Sequence, residues 1–155
     1  MKPGSDSPGV VVFPPLLFVG TLALGLLLHW LEPLHPLSPS VARPIGFILL
    51  ILSVLLARSA EQAMKRAGTN IRPDQPSLAI VTDGPFRFTR NPMYLAGIGL
   101  YLAVTLLLNA LWPLVLLPLM LAVLQWGVIR REETYLEAKF GAQYRDYRTR
   151  VRRWF

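Results

Sequence analysis

From Met93 to Ile129 no residue carries a formal charge. One straight helix of that length would reach ~55 Å, nearly twice the ~30 Å of a bilayer's hydrocarbon. Asn109 and the Trp112–Pro113 pair near its middle mark a turn, so the run reads as a helical hairpin with arms 93–108 and 112–129. A second charge-free run covers 10–31, with Pro14–Pro15 placed for a first helical turn or a kink. A third covers 41–57, broken only by Arg43, which can snorkel from its end. Charged residues make up 16% of the chain, below the ~25% of soluble domains. A soluble core of this size cannot hide so much apolar surface. The expectation is an all-α integral membrane bundle of about four transmembrane helices, in a single domain over 1–155. A signal peptide does not fit, because the first run is too long and no small-residue cleavage site follows it.

The net charge of +7 is concentrated between and after the runs. Residues 58–92 carry six Lys/Arg and residues 130–155 carry eight, while the connections at 32–42 and around Asn109 carry none. That asymmetry places both basic segments, and with four spans both termini, on the cytoplasmic side. The absence of transit or cleavage signals favours a prokaryotic plasma membrane. Because the basic residues flank apolar runs, a nucleic-acid role is set aside. The chain has no cysteine, which excludes thiol catalysis, disulfides and cysteine zinc sites, and no metal is expected.

The cytoplasmic segments carry the candidate chemistry. Residues 68–92 are dense in Gly, Pro, Asn and Asp and read as a structured loop whose apolar stretch, 78–81, tucks under the membrane surface. Arg90-Asn91-Pro92 opens the third helix. Pro92 suits its first turn and Asn91 its cap, and the free N–H groups there, with Arg90, make an anion site. Glu132 and Glu133 sit just past the fourth span and suit a cation, or simple pairing with their basic neighbours. Leu136, Phe140, Tyr144, Tyr147, Val151 and Trp154 share one face of a helical tail that Gly141 divides in two. The opposite face is basic and also suits an anionic membrane surface. An anion-holding and a cation-holding element together suit a zwitterionic ligand.

The run Val81-Thr-Asp-Gly-Pro-Phe-Arg-Phe-Thr-Arg-Asn-Pro-Met-Tyr94, the hairpin, and the run Arg131-Glu-Glu-Thr-Tyr-Leu-Glu-Ala-Lys-Phe-Gly-Ala-Gln-Tyr-Arg-Asp-Tyr147 resemble the isoprenylcysteine carboxyl methyltransferase and phospholipid methyltransferase family. The resemblance covers about residues 69–154 and implies an integral membrane enzyme that uses S-adenosylmethionine. By position it implies cofactor contacts from Leu78, Ala79, Ile80, Val81 and Phe86. It implies the same for Asn91, Pro92, Met93, Tyr94, Glu132, Tyr144 and Tyr147. Arg90 and Glu133 take the positions expected to act in catalysis. Two positions depart from the family pattern. Asn91 replaces its usual histidine and cannot titrate near neutral pH. Val128 stands where the protein-carboxyl methylating members place a substrate-binding arginine.

The resemblance implies methyl transfer to a small lipophilic or lipid acceptor that enters from the bilayer, such as carboxyl O-methylation of isoprenylcysteine type. The alternative within the class is phospholipid amine N-methylation. Outside it stand an NADPH-dependent enzyme like the sterol reductases and a non-catalytic membrane adaptor. His29 and His35, at the far side of the membrane, read as interfacial residues.

Overall fold

The computed structural model describes residues 6–72 and 74–154. Among them it is helical, without strands: α1 Pro14–Leu31, α2 Pro39–Arg66, a single 3₁₀ turn Gly84–Arg87, α3 Pro92–Leu107, α4 Leu111–Leu124, α5 Arg130–Phe140 and α6 Ala142–Arg150. A wider π turn, Gln125–Ile129, joins α4 to α5 in one continuous helix. Proline opens α1, α2 and α3, where a missing N–H costs nothing and the fixed φ suits a helix.

Among the described residues, three helices are long and apolar enough to cross a membrane: Pro14–Leu31, Pro39–Arg66 and Leu111–Phe140. The protein is thus a helical membrane bundle. The arm expected at 93–108 is shorter, a 16-residue helix of ~24 Å. α2 runs on to Arg66 rather than ending at 57. Residues beyond 57 lose the apolar pattern but keep good helix formers, with Glu61 paired to Lys65 at 2.6 Å. Gly141 adopts φ 54° and divides α5 from α6, as the sequence predicts.

Hydrocarbon gives helices no hydrophobic reason to associate, so close packing must hold them together. The buried residues of α2 are all small: Ala42, Gly46, Ser53, Ala60 and Ala63. Of these, Gly46 meets Ala103 and Leu107 of α3, and Ser53 meets Gly99. A Cβ on Gly46 would lie 3.0 Å from the Leu107 backbone N, and one on Gly99 would run into Ser53. α1 packs instead along α4, where a Cβ on Gly25 would lie 2.8 Å from both Cα and N of Pro113. The two helix pairs, α2–α3 and α1–α4, touch each other sparingly.

At the end away from the basic segments the connections are laced together. Asn109 takes φ 50° at the hairpin turn, and its side chain donates to Leu37 O at 2.6 Å and accepts from Leu37 N at 3.3 Å. Trp112 Nε1 donates to Glu32 O, and Leu111 N to Leu34 O. His29 and His35 stack edge to face here at 5.2 Å, with His35 Nδ1 3.1 Å from Asn109 O. At the basic end a strap preceding α1 crosses the α4–α5 helix. Val11 N donates to Gly127 O inside the π turn, Arg131 to Gly9 O, and Asp6 pairs with Lys139.

Gly25→Leu is expected to destabilise the bundle by ~1–3 kcal/mol through overpacking against the Pro113 backbone. Gly20→Leu, on the same helix with open space around it, is expected to be near neutral. Melting of the two variants in detergent checks the difference.

Candidate active site at the start of α3

The basic end is built around one carboxylate. Glu133 in α5 accepts from Arg153 at both oxygens, 2.9 Å from Nε and 2.6 Å from Nη2, and from Arg90 Nη1 at 2.9 Å. The Glu133 and Arg90 side chains are only 11% and 9% exposed. In so dry a place each charge depends on its partner. Main-chain bonds reinforce the clasp. Arg90 N donates to Arg152 O, while Thr89 Oγ1 and Asn91 Nδ2 both donate to Arg153 O. Asn91 does occupy the cap position of α3. Its side chain does not cap, however, because it is spent on the tail.

α6 closes the other side. Tyr147 is buried and its hydroxyl donates to Phe86 O at 2.7 Å. Tyr144 is buried next to it, with its hydroxyl 3.4 Å from Arg90 Nη1. Burial pushes both phenols up from their usual range, so both stay protonated and Tyr144 keeps a proton to donate. The Glu133 hydrogen bond raises Arg153 and secures its charge.

These groups border a cavity of about 550 Å³. Ala79, Ile80, Val81 and Phe86 line it from the loop, and Arg90, Asn91, Pro92, Met93 and Tyr94 from the start of α3. Glu132, Glu133, Tyr144 and Tyr147 line it from α5 and α6. Leu78 is the one sequence-predicted residue left outside: its side chain is exposed and its N–H is bonded to Thr69 Oγ1. Tyr94 donates to Glu132 Oε1 at 2.5 Å, which leaves the second oxygen for a ligand. Arg90 Nε is buried without a hydrogen-bond partner among the described residues. A short apolar cluster of Ala60, Ala63, Val81 and Phe86 anchors the loop to the end of α2. Beyond Tyr94 the cavity turns apolar and continues between α1 and α3, past Phe18, Leu22, Leu100 and Val104.

A family model described as phospholipid methyltransferase matches residues 41–143, about two thirds of the chain. The chain belongs to the phospholipid methyltransferase family. The matched region of this family member holds α2, the cavity loop, α3, α4 and the Glu132–Glu133 pair. It stops just short of Tyr144 and omits both α1 and the clasping tail. A protein from Haemophilus influenzae described only as uncharacterized is 49% identical over 63 residues, which are 40% of this chain and 98% of that one. No solved structure matches.

Sequence reasoning missed several contributors. Arg153 is one of eight basic residues after 129, and nothing in the pattern separates it from its neighbours. Thr89 sits inside the quoted motif but looks like filler. Tyr135 donates to Asp6, accepts from Ser77 N, and so ties strap to loop beside the cavity. Phe18 and Leu22 lie in a uniformly apolar helix whose cavity face no periodicity reveals. Val128 is fully buried in a cluster with Leu124 and Ile129 and does not line the cavity. Arg130 lies over Trp126, and Arg131 donates to Gly9 O.

Glu133→Gln leaves Arg90 and Arg153 without their counter-charge. It is expected to cost ~3 kcal/mol, read as a lower melting temperature in detergent. Glu137→Gln, which loosens only the exposed pair with Arg148, is expected to cost less than ~1 kcal/mol.

Proposed function

We propose that the protein is an S-adenosylmethionine-dependent methyltransferase that modifies a lipophilic acceptor. The observation that carries this reading is the charge layout of one cavity in a member of a methyltransferase family. Glu132, a carboxylate with one oxygen not engaged by Tyr94, and the Arg90 guanidinium line the same cavity. The cofactor's amino-acid end presents an ammonium and a carboxylate, which suit those two groups. Tyr144 O–H and the N–H groups opening α3 supply further donors for the carboxylate. Phe86, Tyr94 and Tyr144 offer aromatic surface suited to a sulfonium. When bound, S-adenosylmethionine supplies an activated methyl group, so the protein needs to align the acceptor and keep water away.

In this reading Arg90 and Glu132 bind, while Glu133 holds Arg90 and Arg153 in position. Both Glu133 oxygens are taken by arginines, so it is not free to accept a proton. Glu132 is committed to Tyr94 and the ammonium. An acceptor that reacts through an ionised oxygen needs no base, whereas an ammonium headgroup must first lose a proton. That favours carboxyl O-methylation, of the kind seen with isoprenylcysteine, over phospholipid amine N-methylation. The second reading draws support from the family description and from Val128 in place of a substrate-binding arginine. The acceptor's hydrocarbon lies in the apolar arm between α1 and α3. Val19 lines that arm yet is 65% exposed, so the arm opens sideways toward lipid. The charge asymmetry supports a site on the cytoplasmic face, and the reading is completed by a prokaryotic plasma membrane and a single domain whose residues 69–154 carry the cofactor-binding part.

Calorimetry on detergent-purified protein tests the cofactor. Wild type is expected to bind S-adenosylmethionine and S-adenosylhomocysteine. Glu132→Ala is expected to weaken binding more than tenfold, ~1.5–3 kcal/mol for a lost charged contact, while the protein stays monodisperse. Stabilisation by NADPH in place of either ligand would turn the reading toward a reductase. No binding of any of the three would turn it toward an adaptor. Asn91→His is expected to keep cofactor affinity within about threefold, because the side chain's observed partner is the tail carbonyl.

A further inference from the structure

The apolar arm has a defined narrow point. On α3 the cavity face is Tyr94, Gly97, Tyr101 and Val104, spaced by three and four residues along one side of the helix. On α1 it is Phe18, Val19 and Leu22. The two helices touch little, but at Gly97 they meet. A Cβ there would lie 2.9 Å from Cε2 and Cζ of Phe18. With no side chain at 97, the Phe18 ring rests against the α3 backbone and the cavity passes in front of it. Phe18 also packs against the buried cluster of Leu124, Val128 and Ile129. A side chain at 97 would therefore drive Phe18 either into that packed cluster or into the bore. Well-packed interiors resist added volume, so the bore would yield.

From Gly97 to Val104 the arm continues ~10 Å deeper along α3. Its single polar group there, the Tyr101 hydroxyl, is committed to Pro113 O at 2.8 Å. Nothing below the neck asks for a polar ligand, and the space is one groove between two helices. A separate apolar groove, between α3 and α4, is lined by Leu95, Ile98, Trp126 and Trp154 among others. The two cavities share no lining residue, so the arm offers a chain one groove.

We propose that the acceptor is a single-chain amphiphile and that Gly97, by letting Phe18 stand back, sets the bore through which its chain reaches the site. The inference rests on the methyltransferase reading for what sits at the arm's head. The occupancy of the arm can be measured without methyl transfer.

A palmitate probe carrying a mid-chain diazirine, and a diacyl phosphatidylethanolamine carrying the same group, are photolysed with protein in nanodiscs. Labelled residues are mapped by mass spectrometry. The palmitate is expected to label Leu22, Leu100 or Val104, and the diacyl probe the outer helix faces only. Gly97→Leu is expected to lower arm labelling at least fivefold, with S-adenosylmethionine affinity changed less than twofold. Phe18→Ala, which empties rather than fills, is expected to raise arm labelling and serves if Gly97→Leu does not fold. Equal arm labelling by the diacyl probe overturns the single-chain assignment, and unchanged labelling in a folded variant overturns the role of Gly97. Failure of wild type to bind S-adenosylmethionine strikes the function of the head site instead, and the labelling pattern still decides the arm.

Discussion

The Glu133 carboxylate is the point on which the basic end of this protein turns. It lies in α5, yet it holds one arginine from the start of α3 and another from the tail. Three segments far apart in sequence thereby share one charge cluster with little exposure. Two guanidinium groups against one carboxylate leave the cluster a positive charge in excess. That excess, carried by a cluster whose Arg90 lines the cavity wall, suits the cavity to an anion. The neighbouring Glu132 escapes this clasp and is held only by Tyr94, so the two adjacent acids have different work. Their separation follows from helix geometry, since consecutive residues point ~100° apart.

Within the apolar region the arrangement follows from what hydrocarbon permits. Small residues let α2 lie against α3 and α1 against α4, and each pair is tight because a Cβ has no room at Gly46, Gly99 or Gly25. The pairs are joined at one end by Asn109 and its partners and at the other by the Glu133 cluster and the strap. Between them remain looser seams, among them α1 against α3. The cavity occupies that seam, so the space for a lipid chain is what is left when each helix has chosen its tighter partner.

Much of this was legible in the sequence. Charge-free runs require helices in lipid, and the turn at Asn109, the break at Gly141 and the proline starts are local chemistry. The motif residues from Ala79 to Tyr94, together with Glu132, Tyr144 and Tyr147, converge on one cavity, and Leu78 does not. What escaped has a common cause. Arg153 acts through a partner twenty residues away in sequence, and one arginine in a basic tail looks like any other. Asn91 looks like a cap because Asn before Pro usually is one, and tertiary contact with the Arg153 carbonyl overrides it. The cavity face of α1 was invisible because every face of that helix is apolar and the lipid side and the arm side ask for the same residues.

The clasp between residues 89–91 and 152–153 also bears on how the protein comes to be made. Translation delivers α1 to α4 well before Arg153 exists, and contacts closing loops of such length form late. Until then Glu133 lacks Arg153, and Thr89 and Asn91 lack the Arg153 carbonyl. The head site is therefore completed only when the tail is in place. The lipid-facing seam is laid down first and the polar chamber last. Such an order keeps the ligand-binding chamber from forming while the helices are still finding their neighbours.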